Sequence, residues 1–149
     1  MKILYTDFTL KYYSLDIYTA GCKTPHCNGC HNPETWGFNQ GEIYNKLYFN
    51  RISKYFDDFD NLIHNIMIFG GEPLDNNISE VENFIKDLLI FKRKIWLFTK
   101  FELKEIPDNI KSLCDFIKTG KYIVELSVKN NQQFGINLST SNQHIYKIK

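Results

Sequence analysis

Short, mostly apolar segments recur along this chain and are separated by longer, more polar stretches. Their length and their β-branched and aromatic residues are typical of strands buried inside a sheet protein. We predict such strands at residues 14–20, 63–69, 95–99 and 114–118. Residues 1–13 have a weaker pattern that is compatible with a preceding strand, and the tail, residues 136–149, is expected to add one more.

Three of the stretches between these segments predict helices. The first spans residues 41–59, and the apolar positions at near-helical spacing are Ile43, Leu47, Ile52 and Phe56. The second begins near Ser79, a residue type that caps helix starts, and its apolar face comprises Val81, Phe84, Ile85, Leu88 and Leu89. The third is short, at residues 107–113.

Strands that alternate with helices predict an α/β protein with a mostly parallel sheet and right-handed crossovers. No repeat or linker divides residues 1–149, so we expect one domain. The strand–helix units are too few to close a full barrel. In an open parallel sheet, ligands bind beyond the carboxyl ends of the strands. Those ends fall near Cys22, Gly70 and Thr99 and after Ile117.

Composition narrows the class of protein. With 43% hydrophobic and 15% aromatic residues, the chain has enough apolar content for a folded core and is unlike a disordered segment. A formal net charge of +1 gives no electrostatic basis for binding nucleic acid or a membrane surface. The first residues lack the pattern of a signal peptide, and no apolar run reaches the ~20 residues that span a bilayer. We therefore expect a cytoplasmic protein with reduced thiols.

Three of the four cysteines, Cys22, Cys27 and Cys30, follow the predicted strand 14–20 in one short loop. Clustered cysteines in a reducing compartment indicate a metal or redox site before they indicate disulfides. Three thiolates leave a four-coordinate site one ligand short, which is typical of a centre kept open for chemistry. The spacing alone leaves three alternatives: an iron–sulfur cluster, a zinc site, and a role without metal. His26 or His31 would complete the zinc site.

A second group of candidate residues, Gly70-Gly71-Glu72, lies at the end of a predicted strand. The two glycines permit a ligand to approach the backbone closely, and the Glu72 carboxylate can accept hydrogen bonds from an ammonium group. The alternative interpretation is a simple turn that ends a buried strand. Thr99, at another strand end, is a further candidate contact. Cys114 begins an apolar segment and is expected to be buried without binding metal.

The cysteine loop and the glycine pair occur together with several other recognisable segments. These segments are Gly21-Cys22, Cys27-Asn28-Gly29-Cys30-His31-Asn32-Pro33-Glu34-Thr35-Trp36, Gly70-Gly71-Glu72-Pro73-Leu74, Ile95-Trp96-Leu97-Phe98-Thr99, Asp115, Gly120-Lys121-Tyr122-Ile123 and Ser141-Asn142-Gln143. Taken together, they resemble the radical S-adenosylmethionine (SAM) superfamily, and within it the activating enzymes of anaerobic ribonucleotide reductases. Two departures stand out: four residues rather than three separate Cys22 from Cys27, and Lys100 replaces a glycine that is frequent in this subgroup.

The resemblance implies a small, open βα barrel of the radical SAM type that holds a [4Fe–4S] cluster. Cys22, Cys27 and Cys30 would ligate three irons, and the methionine end of SAM would chelate the fourth. An electron from the cluster would cleave the S–C5′ bond, giving methionine and a 5′-deoxyadenosyl radical. That radical would remove hydrogen from a glycine Cα of an anaerobic ribonucleotide reductase. A small reducing protein such as flavodoxin would supply the electron.

The resemblance also assigns the contacts with SAM. The methionine end would be held by Gly70, Gly71 and Glu72, the adenine would meet the backbone of Gly29, Cys30 and His31, and Thr99 would contact the cofactor. Two alternatives stay open. A radical SAM enzyme of this size could act on another glycyl-radical enzyme, a peptide or a small molecule. In a different class, Cys22, Cys27, Cys30 and His31 would form a zinc-binding interaction module.

Overall fold

The computed structural model describes residues Met1–Lys149 and is built on a seven-stranded mixed sheet. The strands of the chain are β1 Lys2–Thr9, β2 Ser14–Thr19, β3 Glu42–Ile43, β4 Asn65–Gly70, β5 Lys94–Phe98, β6 Phe116–Thr119, β7 Gln132–Gln133, β8 Ile136–Asn137 and β9 His144–Lys147. The large sheet has the order β3-β1-β2-β4-β5-β6-β9, and β7 pairs with β8 in a small separate ribbon.

The centre of the sheet is parallel and its edges are antiparallel. Strands β2, β4, β5 and β6 pair in parallel, whereas β1 pairs antiparallel with β2 and β3, and β9 pairs antiparallel with β6. The predicted α/β class and the parallel strands at the centre of the sheet are therefore confirmed. The antiparallel pairing at both edges was not predicted. The difference has a simple cause at β1, because the few residues between β1 and β2 permit only a hairpin.

A helix connects each successive pair of parallel strands: α1 Lys46–Phe59, α2 Ile78–Leu88 and α3 Asp108–Lys111. All three pack on one face of the sheet, where they form a core of twenty buried residues with alternate residues of the strands. The opposite face carries a smaller cluster, in which Met67, Trp96 and Phe116 pack against Ile136, Leu138 and Ile145. Residues after β6 thus contribute to the packing of this second face.

The start of the first helix differs from the prediction. Residues 42–43 form β3 instead, and α1 begins after Asn45, whose side-chain oxygen accepts hydrogen bonds from Leu47 N (2.9 Å) and Tyr48 N (3.1 Å). Ile52 and Phe56 are buried as predicted, whereas Ile43 is exposed. Leu47 is 74% exposed and Tyr48 is buried in its place, next to Ile52.

The other element bounds differ less. The second helix is capped by Asn77 rather than Ser79, since the Asn77 side chain accepts from Ser79 N and Glu80 N. Its predicted core residues Val81, Phe84, Ile85 and Leu88 are buried, as expected. The predicted third helix shortens to one turn, and the tail supplies β9. None of the helices is long and apolar enough to cross a membrane.

Candidate functional site

A cavity of about 180 Å³ lies where the parallel strands end. Most of the site residues predicted from the sequence line it: Cys27, Cys30, His31, Gly70, Gly71, Glu72 and Thr99. Residues that the sequence did not single out for this role, among them Phe69, Phe98, Lys100 and Gln143, complete the wall. Gly29 and Cys22 lie outside the lining. The predicted convergence of strand ends is therefore present, and it brings two of the three loop cysteines to the glycine pair.

The three loop cysteines are free thiols in different surroundings. Cys27 and Cys30 are partly exposed at the cavity, whereas Cys22 is buried and its sulfur lies 3.5 Å from Lys100 Nζ. Burial raises the pKa of the Cys22 thiol, and the Lys100 ammonium acts in the opposite direction. No three His, Cys, Asp or Glu side chains are gathered around one point that could hold a single metal ion.

The cysteine loop is closed by contacts within its own segment. Gly21 N donates to Thr35 O (2.8 Å) and Cys22 N donates to Trp36 O (3.0 Å), which ties the two ends together. His26 donates from Nε2 to the Cys22 carbonyl (2.8 Å) and stacks on Trp36 with ring centroids 3.8 Å apart. His26 therefore fixes the backbone of the loop, and Trp36 packs against it.

The glycine pair is required by the chain's own backbone. Gly71 N donates to Thr19 O (3.1 Å) and Glu72 N donates to Gly21 O (2.7 Å), so the turn lies directly on the base of the cysteine loop. A Cβ added to Gly70 would lie 2.1 Å from Thr19 O, and one added to Gly71 would lie 2.3 Å from Gly21 O. The close contacts that these glycines make in the structure are with the chain's own backbone, at the end of β2 and at the base of the cysteine loop. Beside Gly70, the buried hydroxyl of Thr19 has no hydrogen-bond partner.

Glu72 is buried, with 1% of its surface exposed, and its carboxylate is held by donors of the chain. Oε1 accepts from the Thr99 hydroxyl (2.7 Å) and from Leu74 N (3.0 Å), and Oε2 accepts from Lys100 N (2.6 Å). Glu72 thus joins the end of β4 to the end of β5. Thr99 has a defined role in this link, because its hydroxyl orients the carboxylate.

Burial raises the pKa of Glu72 to about 7, from 4.5 for an ordinary glutamate, against the opposing effect of its hydrogen bonds. Between these two pH values the folded chain retains a proton that the unfolded chain has released. We therefore expect the free energy of unfolding of the apo protein to fall as the pH rises from ~4.5 to ~7 and then to level off. Since one pKa unit corresponds to ~1.4 kcal/mol, the loss attributable to Glu72 is on the order of 3 kcal/mol.

Urea denaturation of the wild type and of Glu72→Gln at several pH values would measure this effect. Glutamine does not titrate, so the difference between the two proteins should change across the same pH interval and stay constant above it. A difference that is independent of pH would contradict the role of burial at Glu72.

Lys118 and Asp115 lie at opposite ends of β6, and only Lys118 lines the cavity. Lys118 is half-buried at the cavity and donates to Gly120 O (2.8 Å), and burial lowers the pKa of its ammonium to about 8. Asp115 lies at the opposite end of β6, where its carboxylate accepts from Ile95 N (2.8 Å). In the sequence, the two charged residues flank the apolar pair Phe116-Ile117. Only the direction of β6 in the sheet determines which of them lies at the cavity.

The segment after β6 borders the cavity and covers part of the cysteine loop. His31 packs against Tyr122 with ring centroids 4.4 Å apart, and a Cβ on Gly29 would lie 3.4 Å from the Tyr122 ring. The Gln143 side chain accepts from Ser139 N (3.1 Å) and thereby orders the tail beside the cavity. Gly29 and His31 are exposed and contact this segment through Tyr122. The segment Ser141-Asn142-Gln143 noted in the sequence therefore stabilises the tail beside the cavity through Gln143.

Cys114 is confirmed as a buried cysteine away from the loop. It is 0% exposed in the core between the helices and the sheet, and burial raises the pKa of its thiol to about 12. A thiol in this state does not ionise at neutral pH and is not a metal ligand.

The fold and the site together define an α/β protein with a cysteine loop and a glycine–glutamate turn at the carboxyl ends of its parallel strands. Within that class, the chain belongs to the family of 4Fe-4S single cluster domains, whose model matches residues 13–146. The match includes the whole cysteine loop, the glycine–glutamate turn and the segment that borders the cavity.

The chain is also similar to several curated proteins. It is 26% identical over 131 residues to the anaerobic ribonucleoside-triphosphate reductase-activating protein of Vibrio cholerae, covering 77% of this chain and 84% of that protein. The proteins of the same name from Haemophilus influenzae and Escherichia coli K12 are each 25% identical, over 78% of this chain and 84% and 85% of their own lengths. No solved structure matches the chain.

The residues at the site fit the [4Fe–4S] cluster that the family implies. The donor set is three free thiols in one loop, and thiolates are the ligands of such clusters. In a cluster each thiolate binds a different iron, so the thiols need not point at one ion. Two of them already share a cavity with the glycine–glutamate turn, and the third lies one side chain away, at Lys100.

Proposed function

We propose that this protein is a radical SAM activase that generates a glycyl radical on an anaerobic ribonucleoside-triphosphate reductase. One observation carries the proposal. The cavity at the strand ends brings Cys27 and Cys30 to Gly70, Gly71 and Glu72, in a chain of the 4Fe-4S single cluster family whose relatives are named as activating proteins of that reductase.

When bound, the cluster and SAM together supply a one-electron cleavage of the sulfonium that yields a hydrogen-abstracting adenosyl radical. Cys22, Cys27 and Cys30 are the ligands that we assign to the cluster, and they leave one iron for SAM. The loop is held closed at both ends by backbone hydrogen bonds, which fixes the thiols relative to the turn at Gly71.

We assign the methionine end of SAM to the turn at Gly70 and Gly71. The Glu72 side chain is occupied by donors of the chain, so its role in this assignment is to position the turn. Lys118 faces the cavity and offers the cationic partner for the methionine carboxylate.

The adenine end is assigned to the backbone of Gly29, Cys30 and His31. The Tyr122 ring contacts His31 and so borders this backbone on one side. Thr99 acts through Glu72, whose carboxylate it orients. The radical SAM-type open barrel is the corresponding fold, formed by residues 1–149 as one domain, with the parallel strands β2, β4, β5 and β6 as its centre.

The reductase is the macromolecular substrate in this proposal, and a small reducing protein such as a flavodoxin is the electron donor. Both fit a protein that works in the cytoplasm. Cys27 and Cys30 are partly exposed at the cavity, which suits a site that must admit a loop of another protein.

Anaerobic reconstitution with iron and sulfide tests the proposal. We expect a brown protein whose reduced cluster gives an electron paramagnetic resonance (EPR) spectrum that changes when SAM is added. Reduction should then release 5′-deoxyadenosine, and addition of the reductase should give a glycyl-radical EPR signal. SAM cleavage without a radical on the reductase would favour another glycyl-radical enzyme, peptide or small molecule. A colourless protein with stoichiometric zinc would favour the zinc-binding interaction module.

A further inference from the structure

Lys100 occupies an unusual position between the two halves of the site. Its backbone N–H donates to Glu72 Oε2 (2.6 Å), at the glycine–glutamate turn. Its side chain extends to the cysteine loop, where Nζ lies 3.5 Å from Cys22 Sγ and 3.0 Å from Lys23 O. One residue thus connects the turn with the first cysteine.

The Lys100 ammonium is paired with a buried carboxylate. Asp75 Oδ2 accepts from Lys100 Nζ (2.6 Å) and from Lys23 N (2.7 Å). The side chains of Lys100 and Asp75 are 12% and 6% exposed, so the pair is largely removed from the screening effect of water. Asp75 is itself fixed, because it belongs to the helical turn Pro73–Asp75 that follows Glu72.

Lys100 also separates two cavities. It lines the 180 Å³ cavity that holds Cys27 and Cys30, and it lines a second cavity of about 470 Å³ on the side of Lys23 and Asp75. No other residue belongs to both linings. The side chain of Lys100 therefore stands between Cys22 and the larger cavity.

We propose that Lys100 and Asp75 are positioning residues that set the reduction potential of the cluster through the Cys22 sulfur. This inference rests on the proposed function, because it requires Cys22 to be a cluster ligand. A hydrogen bond from a cation to a cluster sulfur stabilises the reduced cluster, which carries one more negative charge, and so raises the potential. The carboxylate of Asp75 opposes this effect and holds the ammonium in place.

Because the two side chains carry opposite charges, replacing each of them should shift the reduction potential of the cluster in opposite directions. Lys100→Met removes the hydrogen bond and leaves the Asp75 carboxylate uncompensated, so the potential should fall. Asp75→Asn removes the negative charge and keeps an oxygen that can accept from Lys23 N, so the potential should rise. A purely structural role of the pair would shift both variants in the same direction or in neither.

The experiment is an anaerobic dithionite titration of the reconstituted proteins, followed by the EPR signal of the reduced cluster. At the wild-type midpoint potential, we expect the ratio of reduced to oxidised cluster to fall about tenfold in Lys100→Met and to rise in Asp75→Asn. For a one-electron couple, a tenfold change is ~59 mV. Lys100→Arg keeps a cationic donor and should stay closer to the wild type than Lys100→Met does.

Lys54→Met, an exposed lysine on α1, is the matched control and should leave the potential unchanged. Equal potentials in the wild type, Lys100→Met and Asp75→Asn would overturn the inference, as would shifts of the same sign. If Lys100→Met takes up no cluster, the inference is tested by Asp75→Asn alone, whose reduction potential should lie above that of the wild type. A wild-type protein that takes up no cluster would overturn the proposed function as well, whereas unmoved potentials in loaded proteins overturn only this inference.

Discussion

Replacing Cys27 by alanine should abolish cluster binding, with complete loss of the brown colour and of SAM cleavage. In the proposed ligand set Cys27 supplies one of three thiolates, and it lies in the cavity next to the glycine–glutamate turn. The proposed ligand set already leaves one iron without a protein thiolate. Loss of Cys27 would leave two such irons, and we expect the cluster to be lost from the protein. Iron and acid-labile sulfide content, measured after anaerobic reconstitution, would report the loss directly.

Cys114→Ala is the matched control for this experiment. Cys114 is equally a free cysteine, but it is buried in the core and far from ionisation at neutral pH. Its replacement removes one sulfur from a packed interior, so we expect a modest loss of stability and an unchanged iron content. Full iron content in Cys27→Ala, or loss of the cluster in Cys114→Ala alone, would contradict the ligand assignment.

The position of the site could be predicted from the sequence because it depends on local signals. Each parallel strand is a short apolar segment, and the residues that end it are polar or glycine, as at Gly70 and Thr99. Once the strands are parallel, their ends must meet at one edge of the sheet. The cavity between Cys30 and Gly71 follows from that rule, although the rule does not place any individual side chain.

The start of α1 could not be predicted from apolar spacing alone. Ile43 and Leu47 continue the helical spacing of Ile52 backwards, but Glu42–Ile43 pairs with β1 and the Asn45 cap begins the helix later. The competing signal was Asn45 itself, a preferred capping residue. Tyr48 is buried because it lies four residues before Ile52 and shares its face of the helix, whereas Leu47 lies five residues before Ile52 and points away from that face.

The contact between Lys100 and Cys22 could not be predicted from the sequence either. It joins residues 78 positions apart, and an isolated lysine after a strand predicts a solvated charge. Two facts visible only in three dimensions change this interpretation: Asp75 lies within 2.6 Å of the ammonium, and the pair is shielded from solvent. The glycine pair likewise predicts the approach of a ligand, whereas the structure shows the chain's own backbone in close contact with both glycines.

That backbone contact leads to the second large effect: Gly71→Ala should destabilise the protein and disrupt the SAM response. The added Cβ would lie 2.3 Å from Gly21 O and 2.7 Å from Thr35 O, and both atoms belong to the closed base of the cysteine loop. Because the obstacles are backbone atoms, relief requires the turn to move away from the loop. We expect the free energy of unfolding to fall by about 1–3 kcal/mol, as in other overpacked interiors.

The same displacement would weaken the hydrogen bond from Glu72 N to Gly21 O, which sets the distance between the turn and the cysteines. The EPR spectrum of the reduced cluster should therefore no longer change when SAM is added to Gly71→Ala. Gly37→Ala provides the control, since the nearest obstacle to its Cβ is the flexible Gln40 side chain, at 3.1 Å. Urea denaturation should show a change of less than ~0.5 kcal/mol there, with a normal SAM response. If Gly71→Ala matched Gly37→Ala in both measurements, the contact between turn and loop would not be what holds the SAM site together.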